Sequence, residues 1–185
     1  MGFDAEVADR SNKRSKRLKG MSYQLAIVET IFKFKPYNLV ITADDGTPIE
    51  AKRMLLAIGN GKRYGAGMHI CPDADPTDGK FNVTTLRKIS RISLLRLFPK
   101  TYDGKHITHK KIDTYEGKKF LVESIDKECL YQVDGEILGY LPETFLTVPN
   151  AITIRVPEPW SSYSEIWAEK LNKKNKKNKK NKKKK

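Results

Sequence analysis

LLAIGNGKRYGAGMHICPDADPTDGKFNVT, residues 55–84, is the stretch on which the fold turns. An apolar run from Met54 to Ile58 ends at Asn60-Gly61, and a loop carrying Gly61, Gly65 and Gly67 follows. Then come Pro72, three acids (Asp73, Asp75, Asp78) and Gly79, before a second alternating run opens at Phe81. The pattern is strand, glycine-rich loop, acidic turn, strand. On spacing alone two readings of the loop stand open. Glycines let backbone approach a ligand closely, and carboxylates on a turn hold a hard cation such as Mg2+. The plainer reading is a long hairpin connection whose acids are only solvated.

Working outward, Tyr23 to Phe34 places Leu25, Val28 and Phe32 on one stripe with Ile27, Ile31 and Phe34 beside it. This predicts a packed amphipathic helix that stops before Pro36. Leu39 to Thr42 reads as a strand, Asp45-Gly46 as a hairpin turn and Ile49 onward as the returning strand. Downstream, Phe81, Val83 and Thr85 alternate with polar residues as in a half-buried strand, and Ser90 to Phe98 reads as a short helix. Further strands are expected over Ile107–Tyr115, Lys119–Ile125, Leu130–Val133 and Ala151–Val156, with turns at Glu116-Gly117-Lys118 and Asp134-Gly135. Asp103-Gly104, like Asp45-Gly46, needs no explanation beyond a turn. The fold class expected is mainly β: an antiparallel β-sandwich with two or three helices.

Composition bounds the rest. The net charge is +14, but ten of those charges are lysines between Lys173 and Lys185, leaving +4 for the remainder. The extreme basicity therefore belongs to a Lys/Asn tail over 172–185, which cannot bury apolar surface and reads as disordered. A short helix is expected over 158–171, and one domain over 1–157. Within that domain Ala5 to Lys19 is densely basic and reads as a solvated face. Two cysteines, no secretory signal and no run of transmembrane length place the chain in a cytoplasm, with any membrane contact peripheral. His69, His106 and His109 show no zinc spacing with Cys71 and Cys129, and His69 and Cys71 read as structural. No motif for specific nucleic-acid recognition is present.

The residues Asn60, Gly61, Tyr64, Gly65, Gly67, Met68, Pro72, Ala74, Asp78 and Gly79 resemble the C-terminal domain of the bacterial diacylglycerol kinase and sphingosine kinase family of lipid kinases, which has an NAD kinase-like fold. Gly2 to Val7 and Asp134-Gly135-Glu136 agree in the same order, so the resemblance covers about residues 2–157. One departure is Ala66, where the family commonly has glycine. The resemblance implies ATP-dependent phosphorylation of a lipid hydroxyl such as that of diacylglycerol. It implies ligand contact on the cofactor side by Asn60, Gly61, Gly65 and Gly67. Asp134 becomes the general base, with Glu136 as the alternative. An Mg2+ is implied beside Asp78, completed by backbone carbonyls near Asp75 and Lys80. The helix at Ser90–Phe98 would border the lipid-facing cleft.

The family's nucleotide-binding domain, with its Gly-Gly-Asp-Gly-Thr motif, has no counterpart in these residues. The expectation is therefore a domain cut short at its N-terminal edge, with ATP as co-substrate only beside a separately encoded nucleotide-binding domain, and inactive alone. The lysine tail is expected to meet an anionic membrane surface. The rival reading is a non-catalytic basic protein that binds anionic membrane or RNA through phosphate charge.

Overall fold

In β1 (Tyr37–Ala43), buried Tyr37, Leu39 and Ile41 alternate with half-exposed neighbours, the period of two that a strand with one face in a core must show. β2 (Ile49–Gly59) returns antiparallel across the Asp45-Gly46 turn, and β3 (Phe81–Arg87) pairs with β2 after the glycine-rich connection. In the computed structural model, which describes residues 1–13, 22–65 and 67–155, these strands lie at the centre of a six-stranded antiparallel sheet. The others are β4 (Ile112–Gly117), β5 (Lys119–Ser124) and β8 (Glu143–Leu146), in the order β4-β3-β2-β1-β5-β8. β6 (Leu130–Val133) and β7 (Glu136–Tyr140) form a separate two-stranded ribbon. The helices are α1 (Phe3–Lys13), α2 (Ser22–Lys33) and α3 (Arg91–Leu97), the last capped by the Ser90 hydroxyl on Ser93 N–H. The protein is thus mainly antiparallel β with a few helices.

The connection between β4 and β5 sets the shape of the sheet. Four inter-strand steps separate them, about 19 Å in a flat sheet. Only Lys118 joins them, and two Cα steps reach about 7 Å at most. The sheet must therefore curl until its ends meet, and β1 and β4 approach each other across the interior. Asp44 clasps the closure: its Oδ1 accepts the backbone N–H groups of Lys118 and Lys119, each at 2.9 Å. Inside the curl lie Leu39, Ile41, Leu56, Val83, Phe120, Val122 and Cys129, all essentially inaccessible to water.

Several expectations change. β3 is buried on both faces, with Asn82 and Thr84 buried opposite Val83 and Thr85, because helices cover the side a half-buried strand would expose. Phe32 does not join the packed face of α2, which buries Ala26, Thr30 and Ile31 instead; Leu25 and Val28 lie outside the described side chains. Asp103-Gly104 is not a hairpin turn. Gly104, at φ 70°, joins two 3-10 helices, Phe98–Asp103 and Lys105–Thr108, so Ile107 is helical and the strand starts only at Ile112. Residues 151–155 form no strand and are exposed. The chain divides into the units Met1–Pro149 and Asn150–Lys185. The expected helix over 158–171, the Lys/Asn tail and residues 14–19 of the basic segment lie outside the described residues.

Candidate functional site

A cleft of about 690 Å³ opens where distant parts of the chain converge: one face along α1, the end of β2 with the glycine-rich loop, Phe81 of β3, the β6–β7 hairpin, and Phe145 of β8. Asn60 and Gly65 line it from one side and Asp134 and Gly135 from another, so the two motifs picked out in the sequence do meet. Gly61 and Gly67 do not line the cleft; open space surrounds the position of a Cβ at each. Asp134 (φ 49°) and Gly135 (φ 95°) form a two-residue left-handed hairpin turn between Val133 and Glu136. That turn breaks the extended alternation that would have put Asp134 and Glu136 on one side. Asp134 lines the cleft, while Glu136 is exposed on β7 away from the cleft wall.

The loop is built for rigidity. Tyr64 and Met68 exchange two backbone hydrogen bonds of 3.1 and 3.2 Å, and Gly67 N–H closes on Gly65 O at 2.9 Å. Gly59, just before it, cannot carry a side chain: a Cβ there would meet Cys71 Sγ at 2.9 Å and Gly61 O at 3.0 Å. Cys71 is buried, and burial pushes its thiol above the ordinary range, which suits a packing role. Arg63 brings a cation to the cleft and donates its Nε–H to His69 Nε2. Burial lowers the His69 imidazole below its ordinary range, and the charges of Arg63 and Lys62 lower it further, so it accepts as a neutral ring. Ala66 lies outside the described residues.

Behind the cleft is a smaller, mainly apolar chamber of about 80 Å³ beneath α3, walled by Phe3, Leu55, Met68, Leu86, Leu94 and Leu97 among others. Asp4 and Tyr64 line both spaces. Asp4, which the sequence reading did not single out as a site residue, sits in the first turn of α1 and accepts a hydrogen bond from the Gln132 side-chain amide of β6. The Gln132 Oε1 on the same cleft wall is buried without a partner. The chamber also holds His106, 3% exposed, whose Nε2 lies 3.1 Å from Ile70 O while its Nδ1 is buried without a partner. Burial lowers this imidazole too, against its hydrogen bonding to backbone carbonyls.

The acidic turn stands apart from the cleft lining. Asp75 Oδ1 accepts Thr77 N–H at 2.9 Å and Thr77 Oγ1–H at 2.7 Å, bonds that hold its carboxyl below the usual range. Asp78 Oδ1 accepts Lys80 N–H at 2.8 Å, and the Lys80 ammonium pairs with Glu116. Among the described residues no three His, Cys, Asp or Glu side chains converge as a metal cage. The donors available are oxygens: the second Asp78 carboxylate oxygen and turn carbonyls. That set fits a hard cation held by one carboxylate, and no tighter site. No helix among the described residues is long and apolar enough to cross a membrane.

Residues 1–156 match the family described as the YegS C-terminal NAD kinase beta sandwich-like domain. Among relatives, the chain is 32% identical over 156 residues to a diacylglycerol kinase of Mycobacterium tuberculosis, covering 84% of this chain and 50% of that protein. It is 27% identical over 154 residues to a diacylglycerol kinase of Staphylococcus haemolyticus, covering 83% and 46%. A crystal structure described as "a putative diacylglycerol kinase" from Bacillus anthracis str. Sterne superposes with a TM-score of 0.53 at 22% identity, covering 82% of this chain and 52% of that one, a likeness of fold. The chain spans about half the length of the curated relatives it matches.

Proposed function

The chain belongs to the family of YegS C-terminal, NAD kinase β-sandwich-like domains, and on that premise we propose that it is the acceptor-binding and carboxylate-bearing part of a lipid kinase that phosphorylates a hydroxyl of a diacylglycerol-like lipid. The observation that carries this reading is the pair of adjoining cavities: a cleft with Asp134 on its wall and an apolar chamber that shares Asp4 and Tyr64 with it, a combination suited to an amphiphile. The hydroxyl would lie in the cleft, and the first few carbons of an acyl chain would enter the chamber.

In this reading Asp134 accepts the hydroxyl proton as the lipid oxygen attacks the terminal phosphate of ATP. Arg63 and the Asn60–Gly65 wall face the transferred phosphate from the opposite side. Glu136, pointing elsewhere, is the weaker candidate for the base. Mg2+, when bound, neutralises phosphate charge or braces the turn; Asp78 and the backbone carbonyls near Asp75 and Lys80 would hold it there. ATP itself calls for a nucleotide-binding domain working with this chain, because positioning supplies most of the catalysis in phosphoryl transfer.

The test is reconstitution. The full chain, mixed with a separately expressed nucleotide-binding domain from a relative, should phosphorylate diacylglycerol in mixed micelles with Mg-ATP, and glycerol should not replace the lipid. Asp134→Asn should abolish that activity while keeping the fold, since asparagine tolerates the left-handed backbone at this turn. The chain alone should be inactive. Full activity in the reconstituted Asp134→Asn protein would refute the assignment of the base. ATP-dependent phosphorylation by the isolated chain would refute the need for a second domain.

A further inference from the structure

α3 is apolar on both sides. Leu94 and Leu97 wall the chamber, as core packing requires, yet Ile92 (63% exposed) and Leu95 (53%), neighbours at i and i+3, stand in solvent. Phe32 at the end of α2 is 60% exposed and belongs to the same surface. Arg91 ties the two helix ends together: its guanidinium lies 5.8 Å from the Phe32 ring centroid and donates to Phe32 O at 2.5 Å. A lone exposed aliphatic residue needs no explanation, but three on adjoining helix ends mark a surface that meets something apolar.

Charge says what that something is. From Lys88 to Lys100 the chain carries four cations, Lys88, Arg91, Arg96 and Lys100, all exposed, and no acid. The ion pairs at either side, Arg87 with Asp113 and Lys105 with Asp103, leave these four out. Exposed apolar side chains on a segment whose only charges are cations fit a layer with phosphate outside and hydrocarbon beneath.

We propose that the α2–α3 surface seats the protein on an anionic lipid bilayer, with Phe32, Ile92 and Leu95 entering the acyl boundary and the four cations meeting headgroup phosphates. This deepens the lipid-kinase reading, because the helix that docks also walls the chamber and so brings it to the source of acyl chains. Docking is nevertheless read without chemistry: the vesicles contain no diacylglycerol, and no ATP is added.

The experiment uses the full chain bearing Leu95→Cys, labelled with an environment-sensitive fluorophore, with Asp45→Cys as a control on an exposed turn. Cys71 and Cys129 are buried, so the label goes to the introduced thiol. With vesicles of phosphatidylglycerol and phosphatidylcholine, emission at position 95 should shift to the blue and intensify, while position 45 should not change. The Ile92→Asp, Leu95→Asp double variant, with native circular dichroism, should bind these vesicles about tenfold more weakly, the loss expected from withdrawing two aliphatic side chains from the acyl boundary. Sedimentation with vesicles and no change at position 95 would assign binding to the lysine tail and overturn the proposal. Equal binding by the double variant would overturn it as well. So would a shift at position 95 that a nucleotide-binding domain produces and vesicles do not, since the patch would then be a protein interface.

Discussion

Asp44 tests whether the clasp on the curled sheet holds the fold in the way its geometry implies. Its backbone lies at φ 49°, its N–H donates to Lys119 O at 2.8 Å, and its Oδ1 takes two backbone N–H bonds at 2.9 Å. Asp44→Ala removes both side-chain bonds and leaves alanine in a left-handed conformation. Each bond is solvent-facing and contributes about 0.5–1 kcal/mol, while the left-handed backbone costs alanine about 1 kcal/mol. The variant should therefore lose roughly 2–3 kcal/mol. Asp44→Gly relieves the backbone cost alone and should lose about 1–2 kcal/mol. Asp44→Asn keeps an acceptor oxygen and tolerates the conformation, and should lose under about 1 kcal/mol. Urea unfolding followed by circular dichroism orders the three, provided the denaturant slope stays constant. An alanine variant within about 0.5 kcal/mol of the parent, or an asparagine variant as weak as alanine, would refute the clasp.

Two further outcomes follow from the site. His106 is buried with its folded-state pKa lowered, so the unfolded chain binds more protons at mildly acid pH. Its contribution is constant above the ordinary value near 6.5 and turns destabilising as pH falls below it, by at most about 1.4 kcal/mol per pH unit. His69 adds a change of the same sign, so urea midpoints of His106→Gln and parent at pH 7.5, 6.5 and 5.5 isolate the buried ring; an unchanged pH slope in the variant would reject it. For the acidic turn, Mg2+ or Ca2+ should raise the melting temperature relative to chelator by mass action, and Asp78→Ala should remove the difference. Identical melts for parent and variant, with and without metal, would dismiss that turn as a cation site.

Local chemistry made much of the fold legible. β-branched residues marked β1, alternation marked β3, and Asp-Gly marked the β1–β2 and β6–β7 turns. The failures share a physical cause: burial set by tertiary contacts that no local pattern carries. Thr84 on β3 looks solvent-facing until α3 and the 3-10 helices cover it. The segment from Ile107 resembles a strand until Gly104 turns left-handed and His106 reaches Ile70 O. Phe32 looks like a core residue because its neighbours are. Asp44 was invisible as a clasp, since its partners lie 74 and 75 residues away.

The cleft shows why a catalytic carboxylate is harder to place than a strand. Asn60 and Asp134 are 74 residues apart, and Asp134 sits at a turn where side-chain direction is set by backbone handedness, not by strand period. Alternation, extended through Asp134-Gly135, would pair Asp134 with Glu136; the left-handed turn separates them and leaves Asp134, not Glu136, on the cleft wall. The meeting of Asp134 with Asn60 depends on the single-residue β4–β5 link. Only a curled sheet lets the β5–β8 side of the chain, from which the β6–β7 hairpin projects, return over the end of β2. The power of a general base in phosphoryl transfer would come from what the ligand brings: exclusion of water and a phosphate held in line with the hydroxyl. The chemistry proposed for Asp134 would thus depend on the cleft being filled. This is a physical reason to expect silence from the chain alone and activity only in a closed assembly.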